Sequence, residues 1–490
     1  MPAHAVAPLG LPRPLIVGAA LAGSLAAGTA MAQSARLGLA LAAGLCYASL
    51  ILLNLRLGVV LWIPTVSLVA VAALDVGPNL AACLIMFAWL GAFAARYSNI
   101  PAAVVKNRHL LIAVAAAAAW ALLSIAWTVR PRLGSDIFFG WLVAVAIVLV
   151  ISTTLIDRRY LRWAAVAFVA GAVISVGIGL VGGAVQTPTS ASQEGAARLV
   201  GGSGDPNFLA AGIVPAIVLA FALAAGSAHP AARLAVLPVV AFLMAGLVAS
   251  QSRGGMIAAL VAALAALVLA RRGRGWVVVG LLSMLGAAAA WYVVDPVAWE
   301  RLLDFNESNG RGELWNVAWR MWQDHPVAGV GLQGFLDSAG GYARLLGPLE
   351  FSEFITEQPH VVHNSFLEML AETGIVGLGL YLTVVAISLR CARRAVRLYE
   401  RLGDVAMAAL SKGVIVSVLA SLTAAMFISS QTDRRFWVLV ALGPALLGAA
   451  ERRAGVRRDD DDDVVPVRAT ASARRPVALG FGRRQTPHTL

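Results

Sequence analysis

His363 closes the run Pro359-His360-Val361-Val362-His363-Asn364, directly before an apolar stretch that begins near Phe366. An imidazole takes a proton from a sugar hydroxyl at neutral pH, which lysine and arginine do not readily do. Three arginines from distant parts of the chain offer the complementary chemistry. Arg253 lies in Gln251-Ser252-Arg253-Gly254-Gly255 between two long apolar runs, Arg198 opens RLVGGSGDPNF, and Arg311 opens RGELWNVAWRMWQD. A guanidinium grips phosphate oxygens bidentately and stays charged, so the set suits a pyrophosphate held at a membrane surface. The plainer readings are a snorkelling arginine at position 253 and a hydrogen-bonded structural histidine at position 363. Glu368 and Glu372 fall one to two turns into the apolar stretch, where ionisable groups are costly and tend to be paired. Each is placed to orient a histidine or to neutralise an arginine.

Other site chemistries fit less well. His360 and His363 as a metal pair lack any Asp, Cys or His at recognisable zinc spacing, and the chain has no nucleophile elbow for a Ser–His–Asp hydrolase. No cofactor is expected. The glycines of Gly201-Gly202-Ser203-Gly204 allow a ligand to approach the backbone closely, and Asp205-Pro206-Asn207 reads as a helix start whose free N–H groups face an anion. An ordinary turn fits the same residues, because no Gly-Lys-Ser/Thr follows.

The elements that must position these groups are helices in a membrane. Apolar residues make up 59% of the 490 and charged residues only 13%, where soluble domains sit nearer a quarter charged. Apolar runs of roughly 17–25 residues, rich in Ala, Leu, Val and Gly, predict an all-α polytopic bundle rather than a barrel. About fourteen spans are expected, near 15–32, 36–53, 57–75, 79–95, 109–127, 136–155, 160–184, 207–227, 231–250, 255–270, 275–294, 366–388, 408–430 and 434–450. The first ends in Ala-Met-Ala before Gln33 but has only Arg13 as an n-region charge, so it is expected to remain uncleaved. This divides the chain into a cytoplasmic N-terminus (1–14), helices with short loops (15–294), a large catalytic loop (295–364), the last spans (365–450) and a disordered cytoplasmic tail (451–490).

The net charge of +12 fits the Lys/Arg excess of cytoplasmic loops, and no nucleic-acid partner is expected. With the N-terminus inside, Arg56, Arg158/Arg159/Arg162, Arg271/Arg272/Arg274 and Arg390–Arg401 all fall in the cytoplasm. Residues 295–364 then lie on the outer face, together with Arg198, Arg253 and the Arg130/Arg132/Asp136 group. Within the loop, Leu314, Trp315, Ala318, Trp319, Met321 and Trp322 recur at helical spacing, which predicts an amphipathic helix over Arg311–Asp324, ended by His325-Pro326. The tail combines Arg clusters, suited to anionic lipid headgroups, with the run Asp459–Asp463, read as a solvated linker. The three cysteines form no CxxC and no disulfide framework.

These residues resemble the O-antigen ligase and polymerase superfamily. His363-Asn364, nine residues and then Gly374-Ile375-Val376-Gly377 is similar to its His-Asn…Gly-x-x-Gly signature. Arg311-Gly-Glu-Leu-Trp315 followed by Asp324-His-Pro-Val-Ala-Gly-Val-Gly-Leu332 resembles its large-loop pattern, and Arg198 to Asn207 and Ser252-Arg253 match in order and position. The resemblance implies an inverting, metal-independent membrane glycosyltransferase with about twelve spans. It would take a glycan from undecaprenyl pyrophosphate at the periplasmic face of the bacterial inner membrane and pass it to a glycan or glycolipid acceptor. His363 would be the base and Arg198, Arg253 and Arg311 the pyrophosphate ligands, with Asn207, His360, Asn364, Glu368 and Glu372 in support. Ligase and polymerase share the signature, and both readings stand. A transporter of anions or glycolipids is the alternative from another class, although the sequence has no internal repeat and its polar groups gather on one face rather than midway.

Overall fold

The computed structural model describes residues 34–71, 77–94, 100–183, 185–186, 198–269, 274–294, 310–345, 355 and 360–462. The expected span at 15–32, the N-terminal segment and the tail beyond Asp462 lie outside the described residues. The helices run in the order α1 (Ala35–Leu53), α2 (Leu55–Trp62), α3 (Gly77–Ala94), α4 (Ile100–Lys106), α5 (Arg108–Ser124), α6 (Pro131–Thr154) and α7 (Arg158–Gly182). After them come α8 (Pro206–Ala225), α9 (Pro230–Leu234), α10 (Val236–Ala249), α11 (Arg253–Leu269), α12 (Arg274–Val294), α13 (Arg311–Asp324) and α14 (Gly334–Leu345). The last three are α15 (Ser365–Arg401), α16 (Val405–Ala424) and α17 (Arg434–Asp462). The strand pairing among the described residues is a two-residue antiparallel ribbon in which Val185 faces Leu199 and Gln186 faces Arg198.

The protein is an all-α polytopic membrane protein. Among the described residues six helical stretches are long and apolar enough to cross a bilayer by length and composition, and five shorter apolar helices accompany them. Most expected spans coincide with a helix to within a few residues. The expected span at 57–75 instead breaks into α2 and a 3-10 turn, Ile63–Ser67, where Pro64 enters. The expected end near residue 388 is passed by α15, which continues to Arg401. Likewise α17 continues past the apolar run to Asp462.

Side chains fix the helix starts. Asp205 accepts N–H bonds from Asn207 (2.7 Å) and Phe208 (3.0 Å) with Pro206 in the first turn, a strong N-cap. Asn364 does the same for Phe366 and Leu367 at the head of α15. With no hydrophobic drive between helices inside lipid, small residues and hydroxyls make the close contacts. A Cβ on Gly443 of α17 would lie 2.6 Å from the Ser388 carbonyl oxygen of α15, and Ser388 Oγ donates to the Val440 carbonyl at 2.6 Å. Trp141, Tyr381, Phe436 and Trp437 from α6, α15 and α17 interlock with ring centroids 5.6–6.5 Å apart.

The two ends of the bundle differ in chemistry. At one end Asp404 caps α16 and pairs with Arg158 of α7 and Arg453 of α17, holding three helices together. Lys106–Glu451 and Lys412–Glu400 pairs lie on the same side. The other end carries every residue singled out for chemistry. There α13 and α14 form a small second core, with Leu314, Val317, Ala318, Met321, Phe335, Ala339, Val362 and Ala371. The expected helix Arg311–Asp324 is present with those bounds, capped at its end by His325.

Candidate active site

The segment after α13 is fastened to a break in α15. Gly374 has φ 65 and ψ −170, which interrupts the helix. The N–H groups of Val330 and Gly331 donate to the carbonyls of Ala371 and Glu372, both at 2.8 Å. In return the Ile375 N–H donates to the Pro326 carbonyl at 2.9 Å. Contact is so close that a Cβ on Gly374 would lie 2.1 Å from the Val327 carbonyl oxygen. The Gly-x-x-Gly element is therefore a seam between loop and helix, with backbone as its partner. Glu372 joins the same seam, its carboxylate accepting the backbone N–H groups of Gln333 and Phe335.

His363 and Asn364 sit on the other side of this seam, at the head of α15. His363 has a left-handed backbone (φ 54), unusual for a residue with a Cβ. The loop between α16 and α17 holds it there. Ser365 donates its N–H to the carbonyls of Ala425 (2.8 Å) and Ile428 (3.0 Å), and the His363 N–H donates to Ser429 Oγ at 3.2 Å. Ser429 Oγ donates in turn to Glu368, whose other oxygen accepts from Gln431 Nε2 at 2.9 Å. Glu368 thus reaches His363 through Ser429 and the main chain. Among the described residues the carboxylate of Glu368 takes its bonds from Ser429 and Gln431 and that of Glu372 from the Gln333 and Phe335 N–H groups, and neither is bonded directly to an imidazole or a guanidinium.

Charge gathers around the imidazole. Burial, then the charge of Arg311, then His360, push His363 down to about 4 from its ordinary 6.5, and Asp205 works in the opposite direction. Arg311 is itself lowered, first by burial, with Arg253 acting the same way and Asp205 opposing. Residues 205, 253, 311, 360 and 363, from four separate segments, are thus within electrostatic reach of one another. Among the described residues no carboxylate pairs directly with Arg311.

Arg198 enters through a hydrogen-bonded frame. Its Nε donates to the Ser250 carbonyl (3.1 Å) and a terminal nitrogen donates to Asn207 Oδ1 (3.2 Å), which also accepts from Ser252 Oγ (2.9 Å). The turn before Arg253, the start of α8 and the β-ribbon are joined by these three bonds. Arg130 has a different task, pairing at 3.2 Å with Asp337 of α14.

The glycine-rich loop is structural. Gly201–Ser203 is a 3-10 turn packed on α7, where the Gly202 N–H donates to Ser175 Oγ at 3.1 Å. Asp205 already occupies the first N–H groups of α8, so that helix start is not an open anion site. Sequence reasoning missed a buried pair beside it. Arg435 donates to both oxygens of Asp433, to the Phe208 carbonyl (2.7 Å) and to Ser203 Oγ (3.2 Å), tying the α16–α17 loop to the 201–208 segment. Asp433 and Arg435 stand two apart at a span end, a pattern with no signal that separates it from ordinary interfacial charge. Among the described residues no group of three or more His, Cys, Asp or Glu gathers to hold a metal.

Fold and site together define a polytopic helical membrane protein whose basic and imidazole groups converge at one end of the bundle. Residues 238–382, from α10 into α15, match the family model described as O-Antigen ligase. The matched segment is therefore similar to the O-antigen ligase family, a likeness carried by the motifs at Arg253, Arg311 and His363. The match includes Arg253, Arg311, His360 and His363, while Arg198, Asn207 and the Ser429–Arg435 loop lie outside it. A solved structure described as "Structural coordination of polymerization and crosslinking by a peptidoglycan synthase complex" is similar at 19% identity, over 70% of this chain and 97% of that one, with a TM-score of 0.36. The comparison with curated proteins gives no match.

Proposed function

We propose that the protein transfers a glycan from a polyprenyl pyrophosphate, of the undecaprenyl type, to an acceptor hydroxyl at the outer face of the cytoplasmic membrane. The observation that carries this reading is the approach of a neutral, desolvated imidazole at His363 to the partly buried guanidinium of Arg311 and its neighbour Arg253. A base and a fixed anion site side by side are what displacement of a pyrophosphate requires. In the step, the acceptor oxygen gives its proton to His363 and forms a bond to the anomeric carbon. The bond from that carbon to the pyrophosphate oxygen breaks, and the carrier leaves as an anion held by Arg253, Arg311 and Arg198.

Electrostatics couples the two halves. Burial, and after it the charge of Arg311, keeps His363 unprotonated but weakly basic. Pyrophosphate binding neutralises that charge, so the imidazole becomes a stronger base when the donor is in place. The positive-inside bias supports an outer location for this end, with Arg158, Arg390–Arg401 and Arg453 at the opposite end.

Ligase and polymerase differ only in what carries the acceptor. Reconstituted protein supplied with a labelled lipid-linked oligosaccharide decides between them. Label appearing on a separate glycolipid acceptor means ligation, and label lengthening on the carrier means polymerisation. Recovery of all label as intact donor across the bilayer would instead support a transporter and overturn the proposal.

A further inference from the structure

Between α10 and α11 the chain turns through Ser250, Gln251 and Ser252, and among the described residues the side-chain amide of Gln251 has no hydrogen-bond partner. Gln251 is only 6% exposed, and both polar atoms of its amide are buried without a hydrogen bond. Its backbone is left-handed, with φ 50. Burying an unmet amide and holding a Cβ-bearing residue at positive φ both cost free energy, which an apolar residue or a glycine would avoid. Among the described residues the non-glycine positions with positive φ are Gln251, Gln333 and His363. Gln333 meets Glu372 through its N–H at the seam, and His363 is the proposed base.

Gln251's neighbours in sequence are all committed to the site. The Ser250 carbonyl holds Arg198 Nε, Ser252 Oγ holds Asn207 Oδ1, and Arg253 opens α11. The guanidiniums only donate and a pyrophosphate only accepts, so these partners satisfy one another and leave the amide aside. An amide presents an acceptor and a donor in one plane. Two adjacent sugar hydroxyls complement it, one donating to Oε1 and the other accepting from Nε2.

Resting on the proposed transfer from a polyprenyl pyrophosphate, we infer that Gln251 is a specificity-determining residue that binds a vicinal hydroxyl pair on the sugar joined to the pyrophosphate. The site then reads the first sugar of the donor as well as its leaving group.

The test compares binding of sugar-free polyprenyl pyrophosphate with binding of the same carrier bearing one glucose, for wild type, Gln251→Ala and Gln251→Met in nanodiscs. Wild type is expected to favour the glucosylated carrier by roughly tenfold, the worth of two neutral hydrogen bonds. Both variants are expected to lose that preference while retaining their affinity for the sugar-free carrier. In the unliganded state Gln251→Met should melt higher than wild type, because it removes a desolvated amide at similar volume. A preference that survives in both variants, or is missing in wild type that binds the sugar-free carrier, overturns the assignment and leaves the transfer reading intact. So does a lower melting temperature for Gln251→Met, which would reveal an internal partner. Wild type that binds neither carrier overturns the pyrophosphate site itself.

Discussion

His363 is a base that its surroundings keep unprotonated. Its folded value of about 4 lies below the ordinary 6.5, so the unfolded chain binds a proton between those values and the folded chain does not. His363 therefore lowers stability progressively as pH falls from 6.5 towards 4, and adds nothing to the pH dependence above that window. Replacing it with Gln should flatten the acid side of the unfolding curve in detergent, and an unchanged slope would mean that the imidazole is not desolvated. Arg253→Lys keeps the charge but loses the planar fork, so transfer should fall by roughly a hundredfold in the measured rate. Ser429→Ala removes the hydroxyl between Glu368 and the His363 N–H. Its kcat should drop roughly tenfold with KM little changed, the signature of a displaced base rather than a lost ligand. An equal rise in KM would place Ser429 in substrate binding instead.

At the scale of elements, the head of α15 is positioned from two sides, by the loop before α17 and by the seam at Gly374. Gly374→Ala meets the Val327 carbonyl and a left-handed backbone together, so a loss of about 3 kcal/mol or more of stability is expected. Gly379 is a control five residues on in the same helix. Nothing lies within 4 Å of a Cβ there, and Ala should be neutral or stabilise by about 0.5–1 kcal/mol. Denaturation of both variants in one detergent checks the contrast. The seam also marks where sequence reading ends. The spacing of Leu314, Trp315, Ala318 and Met321 made α13 legible with its bounds, because helical period and a His-Pro stop are local signals. That Gly374 breaks α15 and receives the Pro326–Gly331 segment is a tertiary contact between motifs some forty residues apart, and no local pattern encodes it. Glu368 was legible as a paired carboxylate, but its partners Ser429 and Gln431 come from a polar loop that reads like any span end.

Across the whole molecule, the bundle separates a clasp from a chemical end. Asp404, Arg158 and Arg453 fasten one end, while Arg253, Arg311 and His363 come within electrostatic reach at the other, where Arg198 is bonded to the turn before Arg253. A shared side for these four was expected because alternating spans and the Lys/Arg bias assign loops to sides without any knowledge of packing. Which of them touch was not legible, since Arg198 is held by Ser250 and Asn207, and Arg311 is reached only through space. The central claim is that His363 takes the acceptor proton while the arginines hold the donor. Its most direct measurement is single-turnover transfer by purified, reconstituted protein from a polyprenyl-pyrophosphate-linked glycan, comparing wild type with His363→Ala. The account predicts that His363→Ala binds the donor and forms no product. Transfer by His363→Ala at the wild-type rate would contradict it.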